Sequence, residues 1–300
     1  MNNLTPTPGG YDGPEVRAIL ARVCAAAGLN GSNPQLLRGH TNAVILLESE
    51  GVVVKIARRG TPSARVARTV QAVRHLMRLG FPTVPLHPVE QPILVDEHAV
   101  TIWTYLPQPD RPISAEELAR PLRALHALDI PPLDLPAHDN IRAIRRSLSA
   151  ISALRAEETD FLTDRVDELE AEVNSVQFSL PPALIQGDPQ HRNALRAQDK
   201  VVLCDWDTLA VGQPEWDLIT VEVHCRRFGY DPLHYQAFAD AYGRDITLEP
   251  GYKTLAAIRE LRMVTTNARK IHHAPATITE VQRRVQGLRD NDTDLRWHIL

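Results

Sequence analysis

The feature that most constrains the fold is a change of periodicity at a proline-rich passage, Pro107 to Pro112. Before it, short apolar runs alternate with turns. Leu36-Leu37 and Ala43 to Leu47 flank a small polar turn, and Ser49-Glu50-Gly51 precedes the β-branched run Val52 to Ala57, so the pattern reads as consecutive strands. One lysine, Lys55, interrupts that run, and a lysine inside a strand is costly unless an anionic group receives it. Val66, Val70, Val73 and Met77 then repeat at helical spacing up to Gly80 and Pro82, which predicts a helix packed on the sheet. Pro92 to Val95 and Ala99 to Leu106 form a further hairpin around Asp96-Glu97-His98.

Beyond Pro112 the pattern is helical. Ser114-Ala115-Glu116-Glu117 is a capping box opening a helix to about Leu128, with a kink expected at Pro121. Leu162, Val166, Leu169 and Val173 stripe a helix with an acidic outer face, and further helices are expected at Leu233 to Tyr242 and Thr254 to Ile271. Short apolar pieces at Ala183 to Ile185 and Val201 to Cys204 interrupt this half. The fold class is therefore α+β, with a small β-rich lobe at 16–106, a larger, mostly helical lobe at 107–300, and a loose arm rich in Thr, Pro and Gly at 1–15.

The charge balance, 33 Lys plus Arg against 37 Asp plus Glu, supplies no global attraction to nucleic acid or an anionic membrane, and neither is expected as a partner. Three widely spaced cysteines, Cys24, Cys204 and Cys225, form no CxxC pair and suggest a reducing compartment. No apolar run approaches the roughly 20 residues of a membrane span, and Met1 to Pro6 lacks the regions of a signal peptide, so a cytoplasmic location is expected.

The chemistry concentrates in Leu184-Ile185-Gln186-Gly187-Asp188-Pro189-Gln190-His191-Arg192-Asn193 and in Val201-Val202-Leu203-Cys204-Asp205-Trp206-Asp207. Each begins with apolar residues and ends with oxygen-bearing side chains, so short buried strands would deliver Asp188, Asn193, Asp205 and Asp207 to one edge. Asp and Asn also favour turns, which is the competing explanation for any one of them alone. An Asn with an Asp is a donor set that suits Mg2+ when phosphates complete its shell.

These motifs, followed by Gly212-Gln213-Pro214-Glu215-Trp216-Asp217-Leu218, resemble the aminoglycoside phosphotransferase family of small-molecule kinases, which have a two-lobe protein-kinase-like fold. Upstream, Gly39-His40-Thr41-Asn42 is similar to that family's nucleotide loop, and Lys55 to its ATP-phosphate lysine. Trp103-Thr104-Tyr105-Leu106 is similar to its hinge, and Leu125-His126-Ala127-Leu128 to a recurring helix segment. The resemblance implies an ATP- and Mg2+-dependent O-phosphotransferase acting on a hydroxyl of a small molecule, with antibiotic inactivation or natural-product tailoring as its setting. It implies Asp188 as the catalytic carboxylate and Asn193 and Asp205 as the metal ligands. Gly39, Thr41, Asn42, Lys55, Trp103, Thr104 and Tyr105 would contact the nucleotide, with adenine read by backbone near Thr104 and Tyr105.

Two positions depart from the family pattern. Gln186 stands where His is usual, and its amide can replace an imidazole scaffold. Thr69 stands where the following helix usually carries the Glu that pairs with the strand lysine, and no Asp or Glu occurs from Ile56 through Val89. Either another carboxylate serves Lys55, or the nucleotide is held differently, or catalysis is lost. The alternatives to a small-molecule kinase are accordingly a kinase modifying Ser or Thr of a peptide with a partner protein, and a non-catalytic kinase-like binding protein. The arginines at 58, 59, 65, 68, 74 and 78 read as a solvated helix face, or else as a site for an anionic group. Trp216, Glu222, His224, Arg226, Arg259 and Glu260 are candidates to line an acceptor pocket.

Overall fold

The described chain, residues 13–39 and 42–300 of a computed structural model, begins with helix α1 (Gly13–Ala27). Residues 1–12 of the expected arm lie outside the described residues, and its last three, Gly13 to Glu15, already belong to α1. Strands β1 (Gln35–Arg38), β2 (Ala43–Leu47) and β3 (Val52–Ile56) follow, then helix α2 (Ser63–Arg78) and strands β4 (Ile93–Val95) and β5 (His98–Thr104). They build one antiparallel sheet in the order β1-β2-β3-β5-β4.

The strand period explains why this sheet forms. Val52, Val54 and Ile56 of β3 are buried while Val53 and Lys55 occupy the other face. The buried set joins Ile45 and Leu47 of β2, Val100 and Ile102 of β5, and Val16, Ile19, Leu20 and Val23 of α1 in one core. Lys55 is paired across the sheet with Val44 and Thr101, so its position at the sheet centre is fixed from both sides.

The chain divides into two units. The first includes the residues up to Pro112, Pro131–Leu135 and Ala194–Asp207, and so takes in the hairpin of β7 (Ala194–Ala197) and β8 (Lys200–Leu203). The second comprises Ile113–Ile130, Pro136–Asn193 and Thr208–Leu300. It contains α3 (Ala115–His126), α4 (Asn140–Leu148), α5 (Ala156–Val173), α6 (Glu215–Arg227), α7 (Pro232–Tyr242), α8 (Tyr252–Ala268) and α9 (Ile278–Arg289), together with the short strand pair β6 (Ala183–Ile185) and β9 (Ala210–Gly212).

The capping box of α3 forms as its sequence predicts: Ser114 accepts from Glu117 N–H while the Glu117 carboxylate accepts from Ser114 N–H. The helix runs through Pro121 as one element, with Leu118, Pro121, Leu122 and Leu125 buried on one face. That burial offsets the backbone hydrogen bond a proline forgoes. Leu162, Val166 and Leu169 of α5 pack with Ile258, Leu261 and Val264 of α8 and with Val281 and Val285 of α9. Among the described residues no helix is long and apolar enough to cross a membrane.

Candidate active site

Lys55 has two carboxylate partners, and neither is on α2. Its ammonium donates to Asp205 Oδ1 at 2.7 Å and lies 2.9 Å from Asp207 Oδ2, all within the first unit. Burial works against the charge on Lys55, but the two carboxylates outweigh it and hold the lysine pKa above its ordinary value. Thr69 plays no part in this pairing: its hydroxyl donates back to the Arg65 carbonyl one helical turn away. The acidic group that a lysine in a strand demands thus comes from the segment after β8, some 150 residues later.

Two further contacts fix that segment. Asn42 Nδ2 donates to Asp207 Oδ2 at 3.0 Å, and Arg65 donates to the Asp207 carbonyl at 3.0 Å. Between the two aspartates, the buried Trp206 donates its indole N–H to Thr83 Oγ1 at 2.8 Å and meets Phe81 edge-on. Asp205 itself has φ of +55°, a left-handed conformation that aspartate tolerates better than most residues. Burial raises the Asp207 carboxyl, but Lys55, Asn42 and Arg65 more than compensate and hold it below the ordinary range.

Of the remaining candidates for nucleotide contact, Gly39 directly follows β1, Asn42 reaches Asp207, and Thr41 lies outside the described residues. Trp103 is buried with its indole N–H on Thr101 Oγ1. The N–H groups of Thr104 and Tyr105 already donate to the Pro85 and Gly51 carbonyls, so adenine recognition there would need other backbone atoms. The arginines from 58 to 78 with described ion pairs are at least half-exposed, Arg59 with Glu15, Arg68 with Asp134 and Arg74 with Glu90. Arg65 touches the candidate site through the Asp207 carbonyl.

In the second unit, Asp188 follows β6 in a turn that one carboxylate organises. Asp217, fully buried on α6, accepts from Gln186 N–H at 2.7 Å and from Gly187 N–H at 2.8 Å, and His126 Nε2 lies 3.1 Å from it. Gln186 in turn accepts the Asp188 N–H on its side-chain oxygen at 2.7 Å. The amide therefore occupies the scaffolding position where an imidazole is usual, serving as an acceptor to the backbone. Gly187 has φ of +81°, and a Cβ there would sit 2.4 Å from the Thr208 carbonyl oxygen, so this position requires glycine.

The Asp188 carboxylate accepts from Arg259 at 2.6 Å and from Gln190 at 3.0 Å. Burial opposes its charge, but Arg259 outweighs that, with Arg262 and Gln190 adding to it, and the pKa is held below the ordinary carboxylate range. Arg262, one turn along α8, hydrogen bonds Asn140, and burial beside Arg259 lowers its pKa to about 10. Asn193, also buried, ends the single 3-10 turn His191–Asn193 and donates its side-chain amide to the Asp188 carbonyl at 2.8 Å. That bond uses the amide nitrogen and leaves the amide oxygen turned to other partners; this oxygen and, in the first unit, the Asp205 carboxylate are each of the chemical type that a hard divalent ion such as Mg2+ takes.

Arg259 was legible only as a residue of the acceptor region; its ion pair with Asp188 carries no local sequence signal, because α8 lies far along the chain. Of the other acceptor candidates, Glu222, Arg226 and Glu260 form an ion-pair group with the buried Arg227. Trp216 packs near Phe178 and His138, and His224 packs near His191 and Phe228. The acidic face of α5 is largely self-balanced: Arg145 bonds Asp167 and Glu170, and Arg165 bonds Glu168 and Glu172.

Comparison with solved structures gives the fold independently. An amicoumacin kinase in complex with AMP-PNP, Ca2+ and Ami has a TM-score of 0.69 at 13% identity, covering 95% of this chain and 98% of that one. A choline kinase from Streptococcus pneumoniae has a TM-score of 0.66 at 16% identity, covering 91% and 98%. A choline/ethanolamine kinase family protein from Mesorhizobium loti has a TM-score of 0.64 at 18% identity, covering 93% and 92%. No curated protein matches the chain. The model of the phosphotransferase enzyme family matches residues 34–258, a span that includes Lys55, Asp188, Asn193, Asp205 and Asp217. With more than half of its length in that match and a two-part α+β kinase-like fold, the chain belongs to the phosphotransferase enzyme family.

Proposed function

We propose that this small-molecule phosphotransferase transfers the γ-phosphoryl group of ATP, with Mg2+, to an alcohol hydroxyl of a natural product or antibiotic. The observation that carries the reading is the state of Asp188, a carboxylate held ionised by Arg259 on a turn clamped by Asp217. A carboxylate in that state orients an acceptor hydroxyl and takes its proton as the new O–P bond forms and the bond from the γ-phosphorus to the leaving ADP oxygen breaks. When bound, Mg2+ supplies charge neutralisation to the phosphates. Asn193 and Asp205 would hold it, and Lys55 would exchange carboxylate contacts for the α- and β-phosphates.

A peptide acceptor remains the enzymatic alternative, and phosphate appearing only on peptides would select it.

The test is phosphate transfer from ATP to a panel of natural-product alcohols, aminoglycosides and Ser/Thr peptides, with Asp188→Ala as control, alongside thermal unfolding with and without Mg2+-ATP. Nucleotide at about 100 times its dissociation constant stabilises a protein by roughly 2.7 kcal/mol, which raises the midpoint by several degrees. A shift that needs Mg2+ and is lost in Asp205→Ala supports the nucleotide half of the reading. No shift at saturating ATP overturns it in favour of a non-catalytic binding protein.

A further inference from the structure

The second unit contains a group of donors that the phosphotransferase reading does not use. His191, in the turn between Asp188 and Asn193, Cys225 on α6 and His234 on α7 each place a ligand atom within 4.8 Å of the others. The Nε2 atoms of His191 and His234 are 2.9 Å apart. Tyr230 stacks on both rings, with centroid separations of 5.0 Å to His191 and 4.8 Å to His234.

Hydrogen bonding alone serves these rings poorly. The 2.9 Å separation requires one proton between the two nitrogens, and the Ala115 N–H also approaches His234 Nε2, at 3.2 Å. One lone pair is therefore asked to receive two donors. The other nitrogen of His191, Nδ1, is buried with no hydrogen-bond partner, so no second bond fixes which nitrogen of that ring carries the proton. A metal ion in place of the shared proton would let both Nε2 atoms act as ligands once the Ala115 N–H turns from the His234 lone pair, and the Cys225 thiol, whose proton burial and Glu222 otherwise retain, would lose it to the ion and supply the third.

We propose that His191, Cys225 and His234 form a site for a borderline-soft divalent cation of the zinc class, separate from the Mg2+ ligands. Two imidazoles and a thiolate match the ligand preference of zinc and cobalt and disfavour magnesium or calcium. Three protein ligands leave a fourth position for water, and a modest separation of the two rings would reach zinc–nitrogen distances of about 2.0–2.1 Å. The ion would tie the turn that carries Asn193 to α6 and α7, so its occupancy bears on how firmly that turn is held. The proposal does not depend on the acceptor or on the nucleotide site.

Cobalt(II) added to the reduced full-length protein is the direct probe. We expect one equivalent to give a thiolate-to-cobalt charge-transfer band with tetrahedral d–d bands, both displaced by zinc. The bands are expected to be lost in Cys225→Ser and in His234→Ala, and kept in Cys204→Ser. His234 is only half-buried, so its variant carries the test if Cys225→Ser does not fold. Absence of a charge-transfer band in the wild-type protein, its persistence in His234→Ala, or its loss in Cys204→Ser while Cys225→Ser retains it would each overturn the proposal. Phosphate transfer is measured separately, so a failed cobalt titration leaves the phosphotransferase reading intact.

Discussion

Arg259 donates to the Asp188 carboxylate at 2.6 Å across 71 residues of sequence, and the arginine is itself more than nine-tenths buried. The pair does two things at once: it aims the carboxylate and keeps it ionised. Removing Arg259 should therefore misplace Asp188 and raise its pKa. For Arg259→Ala we expect kcat to fall on the order of 100-fold, with the acidic limb of the kcat/KM profile moved to higher pH. A pH series on both proteins checks this. An unchanged limb would mean that Arg259 does not set the charge of Asp188.

Asp188→Asn keeps the shape of that side chain and removes its ability to take a proton. Transfer is expected to drop by about 100- to 10,000-fold, while the thermal shift produced by Mg2+-ATP persists, because nucleotide contacts are assigned to other residues. Comparable loss of both signals would instead indicate a damaged fold.

Lys55 and Asp207 can be examined as a pair. Lys55→Ala and Asp207→Asn should each weaken the ATP-induced stabilisation, and the double variant should lose less than the two single losses combined, because each residue holds the other at 2.9 Å. The interaction energy is expected to be about 1 kcal/mol, modest because Asp207 is partly exposed. Strict additivity would show that the two side chains act independently.

Gly187→Ala places a methyl carbon against the Thr208 carbonyl at a backbone angle suited to glycine. Strain and the displaced turn together should cost about 3 kcal/mol of stability. Chemical denaturation measures the loss directly.

His138 has a pH signature. Burial, with Arg262 nearby, lowers its pKa to about 4. The unfolded chain binds that proton at about 6.5, so the stabilising contribution of neutral His138 is complete above pH 6.5 and is lost as pH falls toward 4. Its slope is at most about 1.4 kcal/mol per pH unit. Denaturation midpoints of wild type and His138→Gln should therefore converge on acidification through that window; a constant difference would place the proton elsewhere.

What could be read in advance follows from the range of each interaction. The β-branched run around Lys55 and the stripe of α5 are local patterns, and the structure has a strand and a helix there. So is the capping box at Ser114. The need of Lys55 for an anion was also legible, because an apolar strand cannot hold an ammonium alone. The identity of its partners was not, since Asp205 and Asp207 reach it through long-range chain return. The Asp217 clamp on Gln186 and Gly187 shows the same limit: the motif was recognisable, but its two backbone bonds depend on how α6 packs beside β6.

The excursions of the chain into and out of the first unit set an order of assembly. Its sheet is complete in the sequence by Thr104, yet the hairpin and the aspartates that neutralise Lys55 belong to 194–207. A nascent chain that has emerged only through the sheet lacks both carboxylates that pair with Lys55, as does any fragment ending at Pro112. Chain synthesis must pass two thirds of its course before those carboxylates exist, so the unit is not separable by a single cut, and swapping it between relatives as one block would leave part of it behind.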